Sequence, residues 1–472
     1  MATVPKQDIS LAICGHAWHG KSTLLGKVVA ESGMATAREL EEAKRLASEG
    51  RDHSLVFAQL VFRSKDVHVQ DSEAARGITI LPSIVRFDFP QHRVTVIDTP
   101  GQETYANNRF FGMFQADCAM VVIDVEEGMR PVTYQVLRIL KGFEIPVHGV
   151  ALTKMDQIKY DQGRFEERVD EVRRAFDEYG VDGSRAVFIP TSAYESGRDL
   201  HAPGEGISSF QKITWFNGPP VRDFLRDLDF KRIVPPNQPL RLVIHGSEVY
   251  DHVPGIGKAA TGLVETGVVR PEQTLVFEPI SAERGGPVTA RVRSVQLTKG
   301  HIATPGVPIE EGVPRQLVGV SFKSLSEKES LRELFKGRGV VAGTEDAPPS
   351  VARRMIVELT VFDPETILRV GDEWTMHPHV DRVAIHIDKV EAKRDLQQGP
   401  WVPSTEDMLA PSEWGRVHVT CVTRPVAIEE AGVLPSLSKF VIRKEHKAVS
   451  YTHLRAHETK AKIVCRLLLE KK

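Results

Sequence analysis

Along residues 8–230, short apolar runs alternate with longer amphipathic stretches. "DISLAIC", "HRVTVID", "DCAMVVID", "PVHGVAL" and "AVFIPTS" are rich in β-branched residues and have the length of buried strands. "KSTLLGKVVAES" and "GRFEERVDEVRRAFDEYG" carry apolar positions at helical spacing. Strands separated by helices predict an α/β domain, a mostly parallel sheet with helices on both faces. Ligands of such sheets sit at the carboxyl ends of the strands.

The pattern changes at "KRIVPPNQPL", a proline-rich break over 231–240 that reads as a linker. Beyond it, "LRLVIHGSEVY", "KAATGLVETGVV", "QTLVFEP" and "TARVRSVQL" alternate with period two between Gly and Pro, which predicts a β-barrel over 241–346. A second break, "EDAPPS", precedes another all-β stretch, 347–448, with "ARRMIVELTVF", "RVAIHIDKVEAK" and "RVHVTCVT". The domain plan is therefore 1–230, a linker, and two barrels. From residue 449 the alternation stops. Residues 449–472 resemble a translated sequencing adapter standing in place of the last strand, with a basic helical tail as the competing reading.

Composition changes this picture little. The chain has 472 residues, 41% hydrophobic and 26% charged, an ordinary globular balance. A net charge of −2 excludes a whole-chain bias toward nucleic acid and leaves local basic patches open. The start has no signal peptide pattern, and no run approaches the ~20 apolar residues of a membrane span. These features predict a cytoplasmic protein with no membrane partner. Cys14, Cys118, Cys421 and Cys465 are scattered, with no Cys-x-x-Cys pair. Free thiols in a reducing compartment are expected.

The candidate chemistry lies at the predicted strand ends. "GHAWHGKST", residues 15–23, fits Gly-x-x-x-x-Gly-Lys-Ser/Thr between a strand and a helix. Gly15 and Gly20 let the backbone wrap a phosphate, the amides of residues 17–22 point inward, and His16, Ala17, Trp18, His19 and Thr23 belong to the nucleotide-binding loop. Lys21 supplies charge to β and γ phosphates, and Ser22 offers a hydroxyl to Mg²⁺. In "DTPG", Asp98 can hold Mg²⁺ through a water and Gly101 can offer its amide to a γ-phosphate. In "RGITI", Thr79 can place a hydroxyl on Mg²⁺ while that phosphate is present, so the loop is released on hydrolysis. "TKMD" and "TSA" select the base. Asp156 accepts from N1–H and the 2-amino group of guanine, Lys154 lays its stem over the ring, and Ser192 and Ala193 close the pocket. GTP/GDP and Mg²⁺ are the expected ligands.

At these motifs, and beyond them in "WFNGPPVRDFL", "HPHVDRVAIHIDKVEAKRD" and "LSKFVIRKEHKAV", the chain resembles the translational GTPases over roughly residues 8–448. Its similarity runs to elongation factor 1-alpha, the counterpart of elongation factor Tu. The resemblance implies a P-loop GTPase domain followed by two β-barrels that together carry aminoacyl-tRNA to the ribosome. It implies hydrolysis of GTP by in-line attack of water. It also implies a monomer, with a guanine-nucleotide exchange factor as a possible partner.

Five positions depart from that family. Trp18 replaces an aspartate that in some relatives helps hold a monovalent cation, and its ring is expected to pack over the nucleotide or first switch. Gln102 follows Asp-x-Pro-Gly where histidine is usual; as the catalytic candidate it orients water by donating and accepting at once. Thr153 replaces asparagine and is expected to take over part of its bridging role. Leu263 stands where arginine is common and Lys258 where threonine is common, both near the implied site for the tRNA acceptor end. These departures keep two other readings open. One is a termination or ribosome-rescue paralogue that binds a protein, although such relatives generally carry an N-terminal extension. The other is a GTP-binding regulator with little hydrolysis. A fourth domain is expected of selenocysteine-specific factors, and the resemblance of the third domain argues against a sulfate-activation subunit.

Overall fold

The computed structural model describes residues 6–49, 56–61, 79, 82–193, 213–230, 237–253, 255–297, 307–325, 330–361, 366–379, 381–394, 400–411, 413–444 and 447–453. Most of the "RGITI" motif, linker residues 231–236, Cys465 and the tail from 454 lie outside them. Two compact units are present, Met1–Arg232 and Ile233–Lys472.

The first unit is built on a six-stranded sheet. Its strands are β1 (Gln7–Cys14), β2 (Ser83–Asp88), β3 (His92–Asp98), β4 (Cys118–Asp124), β5 (Val147–Thr153) and β6 (Val187–Pro190). Their order is β2-β3-β1-β4-β5-β6. All pairs are parallel except β2–β3. Strand β2 was not among the expected strands. It is joined to β3 by a tight turn, and its burial is mixed, as suits an antiparallel edge. By contrast, every residue of β4 and β5 is buried, because helices cover both faces. The core gathers Leu11 and Ile13 of β1, Leu24 and Val28 of helix α1 (Lys21–Glu31), and Met120 and Val122 of β4.

Register decides where the motifs meet. Ile13 pairs with Asp98 across β1 and β3, and Asp124 pairs with Thr153 across β4 and β5. The P-loop after Cys14, the Asp98 turn, the Thr153 turn and the turn after Pro190 therefore leave the sheet at one edge, its carboxyl end.

The second unit holds two closed barrels. The first comprises β7 (Arg241–Val253), β8 (Gly257–Thr266), β9 (Thr274–Glu278), β10 (Thr289–Leu297), β11 (Val307–Ile309), β12 (Leu317–Leu325) and β13 (Val340–Thr344). The ring runs β9-β10-β12-β8-β7-β13 and closes on β9, with β11 flanking β10. Closure leaves the ring strands no free edge. The second comprises β14 (Arg354–Val361), β15 (Glu373–Pro378), β16 (Val383–Arg394), β17 (Trp414–Cys421), β18 (Lys439–Lys444) and β19 (Lys447–His453). Here β15-β18-β19-β14-β17-β16 closes on β15. The closing strand β19 runs on through His453, paired with both β14 and β18. The barrels are tied by Arg241 of β7. Its buried guanidinium donates to Glu429 at 2.5 Å, to the Ala347 carbonyl at 2.9 Å and to the Pro348 carbonyl at 3.2 Å.

Candidate functional site

The P-loop wraps at its two glycines. Gly15 has φ +148°, and a Cβ there would lie 2.3 Å from the Val122 carbonyl oxygen, so no larger residue fits. Gly20, at φ +87°, takes the left-handed N-cap of α1. Among the described residues that cap carries no side-chain hydrogen bond, and the first turn of α1 holds no acidic residue. The helix amides there keep their positive potential for an anion. Trp18 adopts the left-handed region as well, at φ +65°, and its residue is 56% exposed. The ring expected to pack over the nucleotide or switch stands largely in solvent.

Three oxygens from three separated segments converge. Ser22 Oγ donates to Asp98 Oδ2 at 2.5 Å and lies 2.8 Å from Thr79 Oγ1, which is itself 3.3 Å from Asp98 Oδ2. Asp98 is fully buried, and among the described residues its second oxygen, Oδ1, has no hydrogen-bond partner. Burial raises its pKa to about 6, opposed by Lys21 and by the two hydroxyls. A buried, half-satisfied carboxylate beside two hydroxyls fits a hard divalent cation such as Mg²⁺.

Lys21 is buried, and burial lowers its pKa to about 8 despite the charge of Asp98. Its ammonium donates to the His16 carbonyl at 2.6 Å. The Ala17 amide donates to the Gly101 carbonyl at 3.1 Å, so the Asp98–Gly101 turn sits directly on the P-loop. A Cβ on Gly101 would come 2.4 Å from Lys21 Nζ and 2.5 Å from Ala17 N. His19 is buried and meets the His16 ring edge-on at 5.2 Å. Burial, Lys21 and His16 lower its pKa to about 4, leaving it neutral at pH 7.

At the base-selecting corner, Thr153 Oγ1 donates to the His19 carbonyl at 2.7 Å and lies 3.2 Å from the Ile123 carbonyl. The threonine thus ties the P-loop to the end of β4 and β5. Lys154, at φ +60°, pairs with Asp124 at 2.7 Å. Asp124 Oδ1 accepts the Glu126 and Glu127 amides, which fixes the turn beneath that lysine. Ser192 Oγ donates to Asp156 Oδ1, and Lys27 holds the Ser192 carbonyl at 2.9 Å. Ala193 packs on the sheet core.

For Gln102 the structure fixes the backbone. Its carbonyl accepts the Tyr105 amide at 3.2 Å and Arg109 Nη2 at 2.8 Å. Asp124 and Arg109 escaped the sequence reading. An arginine inside the apolar helix "ANNRFFGMF", four residues before the buried Met113, was the available signal for Arg109. Leu263 is buried in the wall of the first barrel, 2% exposed, and pairs with Val243 and Leu317.

Fold and site together define a P-loop GTPase domain followed by β-barrels. The elongation factor Tu GTP binding domain family matches residues 6–215, and the GTP-eEF1A C-terminal domain-like family matches 354–452. Elongation factor 1-alpha of Archaeoglobus fulgidus is 29% identical over 443 residues, 93% of this chain and 95% of that protein. The Natronomonas pharaonis elongation factor 1-alpha is 28% identical, covering 94% and 97%. The chain belongs to the translational GTPases, as a diverged member similar to elongation factor 1-alpha. Among solved structures, the Saccharomyces cerevisiae Ski7 GTPase-like domain bound to GTP superposes with a TM-score of 0.72 at 16% identity, over 96% of this chain and 98% of that one. Translation elongation factor SelB of Methanococcus maripaludis gives 0.63 at 15%, over 98% and 81%. At these identities the likeness is one of fold. No helix among the described residues is long and apolar enough to cross a membrane.

Proposed function

We propose that this protein binds aminoacyl-tRNA in its GTP form, delivers it to the ribosome in the cytoplasm, and hydrolyses GTP to GDP and phosphate there. The observation that carries the reading is the convergence of Ser22, Thr79 and Asp98 on one point, in a chain that matches archaeal elongation factor 1-alpha over 93% of its length. Ser22, Thr79 and Asp98 would hold Mg²⁺, which supplies charge neutralisation at the phosphates. Lys21 and the P-loop amides bind the β and γ phosphates. To do so, Lys21 exchanges the His16 carbonyl for phosphate oxygens. Thr79 and Gly101 sense the γ-phosphate, because each meets the P-loop site from a different segment. Asp156, held by Ser192, reads guanine. Gln102 orients the attacking water.

The buried, uncharged Leu263 favours a second reading, in which a protein replaces tRNA as the cargo. Filter binding in the presence of GTP separates the two. Aminoacyl-tRNA is expected to bind at least tenfold tighter than uncharged tRNA, about 1.4 kcal/mol. Equal binding of the two would sink the carrier reading.

A further inference from the structure

We infer that Arg109 is a positioning residue of the hydrolytic site, clamping the turn that carries Gln102 against the P-loop. The inference rests on Gln102 as the water-orienting residue and adds what holds it.

Arg109 lies on the helix Ala106–Phe114 and is among the largest side chains with no exposed surface. A buried guanidinium is expensive, so an apolar side chain would serve packing better. Its Nη2 donates to the Gln102 carbonyl at 2.8 Å, and that oxygen also accepts the Tyr105 amide. The preceding carbonyl, of Gly101, accepts the Ala17 amide of the P-loop at 3.1 Å. Consecutive carbonyls are therefore pinned, one to the P-loop and the next to Arg109. Those carbonyls belong to the two peptide planes that flank the Gln102 Cα, and together the planes aim its side chain. The guanidinium charge also reaches the P-loop, where it acts to lower the pKa of Lys21, His16 and Cys14. A two-point anchor of this kind holds a reacting geometry that a free turn would lose.

The test is single-turnover GTP hydrolysis by the full-length protein, with GDP affinity and thermal melting as controls. Arg109→Met keeps the packed length and removes the fork. It is expected to slow hydrolysis on the order of tenfold, the weight of a hydrogen bond from a charged group. GDP affinity should stay within about threefold. Arg109→Lys retains charge and one donor and should recover part of the rate. It also serves as the folded variant if Arg109→Met melts early. An unchanged rate in the folded variant overturns the inference. Gln102→Ala keeps the backbone carbonyl, so it separates the two claims. If Gln102→Ala is silent while Arg109→Met is slow, the Gln102 reading falls and the clamp stands. If Gln102→Ala is slow and Arg109→Met is silent, the clamp falls alone. With both slow, the double variant should be no slower than the slower single; multiplied losses would show independent action and refute the clamp.

Discussion

Replacing Gly101 with alanine tests how the switch turn meets the phosphate loop. The added methyl would lie 2.5 Å from Ala17 N and 2.7 Å from the His16 carbonyl carbon. Both are backbone atoms, so no rotamer change relieves the contact; only Lys21 Nζ, at 2.4 Å, can swing aside. Reaching an ordinary 3.4 Å separation moves the turn from the P-loop by about 0.9 Å. The Ala17 amide to Gly101 carbonyl distance, now 3.1 Å, then opens to about 4 Å and ceases to be a hydrogen bond. The lost bond costs about 1 kcal/mol, and the overpacking about 1–3 kcal/mol. Together they weigh roughly 2–4 kcal/mol against any state with the turn seated on the P-loop, a factor of about 30 to 1,000. On the proposed switch, the GTP state needs that seating and the GDP state does not. Equilibrium binding of a non-hydrolysable GTP analogue should therefore weaken by at least about 30-fold in Gly101→Ala, with GDP affinity within about threefold. An unchanged ratio of the two affinities would refute the reasoning.

Thr153→Val keeps shape and deletes the hydroxyl bridging β5 to the His19 carbonyl. It should weaken both nucleotides alike, by about 1–3 kcal/mol; isothermal titration showing a loss for only one of them would argue against a purely structural bridge. In Asp156→Asn, Ser192 can still donate to the side-chain oxygen, but the acceptor pair for guanine is gone. GTP binding should fall on the order of 100-fold or more while xanthosine triphosphate gains, read by competition binding. The pH dependence has opposing signs in different places. His377 is buried, and burial with the neighbouring charges of Arg443 and Arg382 depresses its pKa to about 3. The unfolded chain takes up that proton near pH 6.5 and the folded one does not, so stability is lost as pH falls from about 6.5 toward 3. Asp98, raised to about 6, works the other way, adding stability to the ligand-free protein as pH falls through 6. In urea titrations, His377→Gln should flatten the acid loss; a slope identical to the parent's would dismiss the histidine.

The sequence by itself determined the elements that chemistry and periodicity mark strongly. Gly15, Gly20, Lys21 and Ser22 are legible because only that spacing lets backbone amides surround a phosphate between a strand and a helix. The α/β domain and the two period-two stretches follow from hydrophobic alternation, which is a local property. Tertiary structure decided the rest, where the outcome depends on register and long-range pairing. The edge strand β2 carries too mixed a pattern to stand out, and it becomes a strand by pairing with β3. Asp124 gains its role only because β4 and β5 set it opposite Thr153, within reach of Lys154. Trp18 is aromatic and invites a packing prediction, yet the left-handed turn that Gly20 completes aims it outward. Arg109 shows the division most sharply. In sequence it is a charge in an apolar helix, and only the fold brings its guanidinium under the Gln102 carbonyl. Hydrogen-bond partners separated along the chain are chosen by how strands and helices stack, and that information is not local.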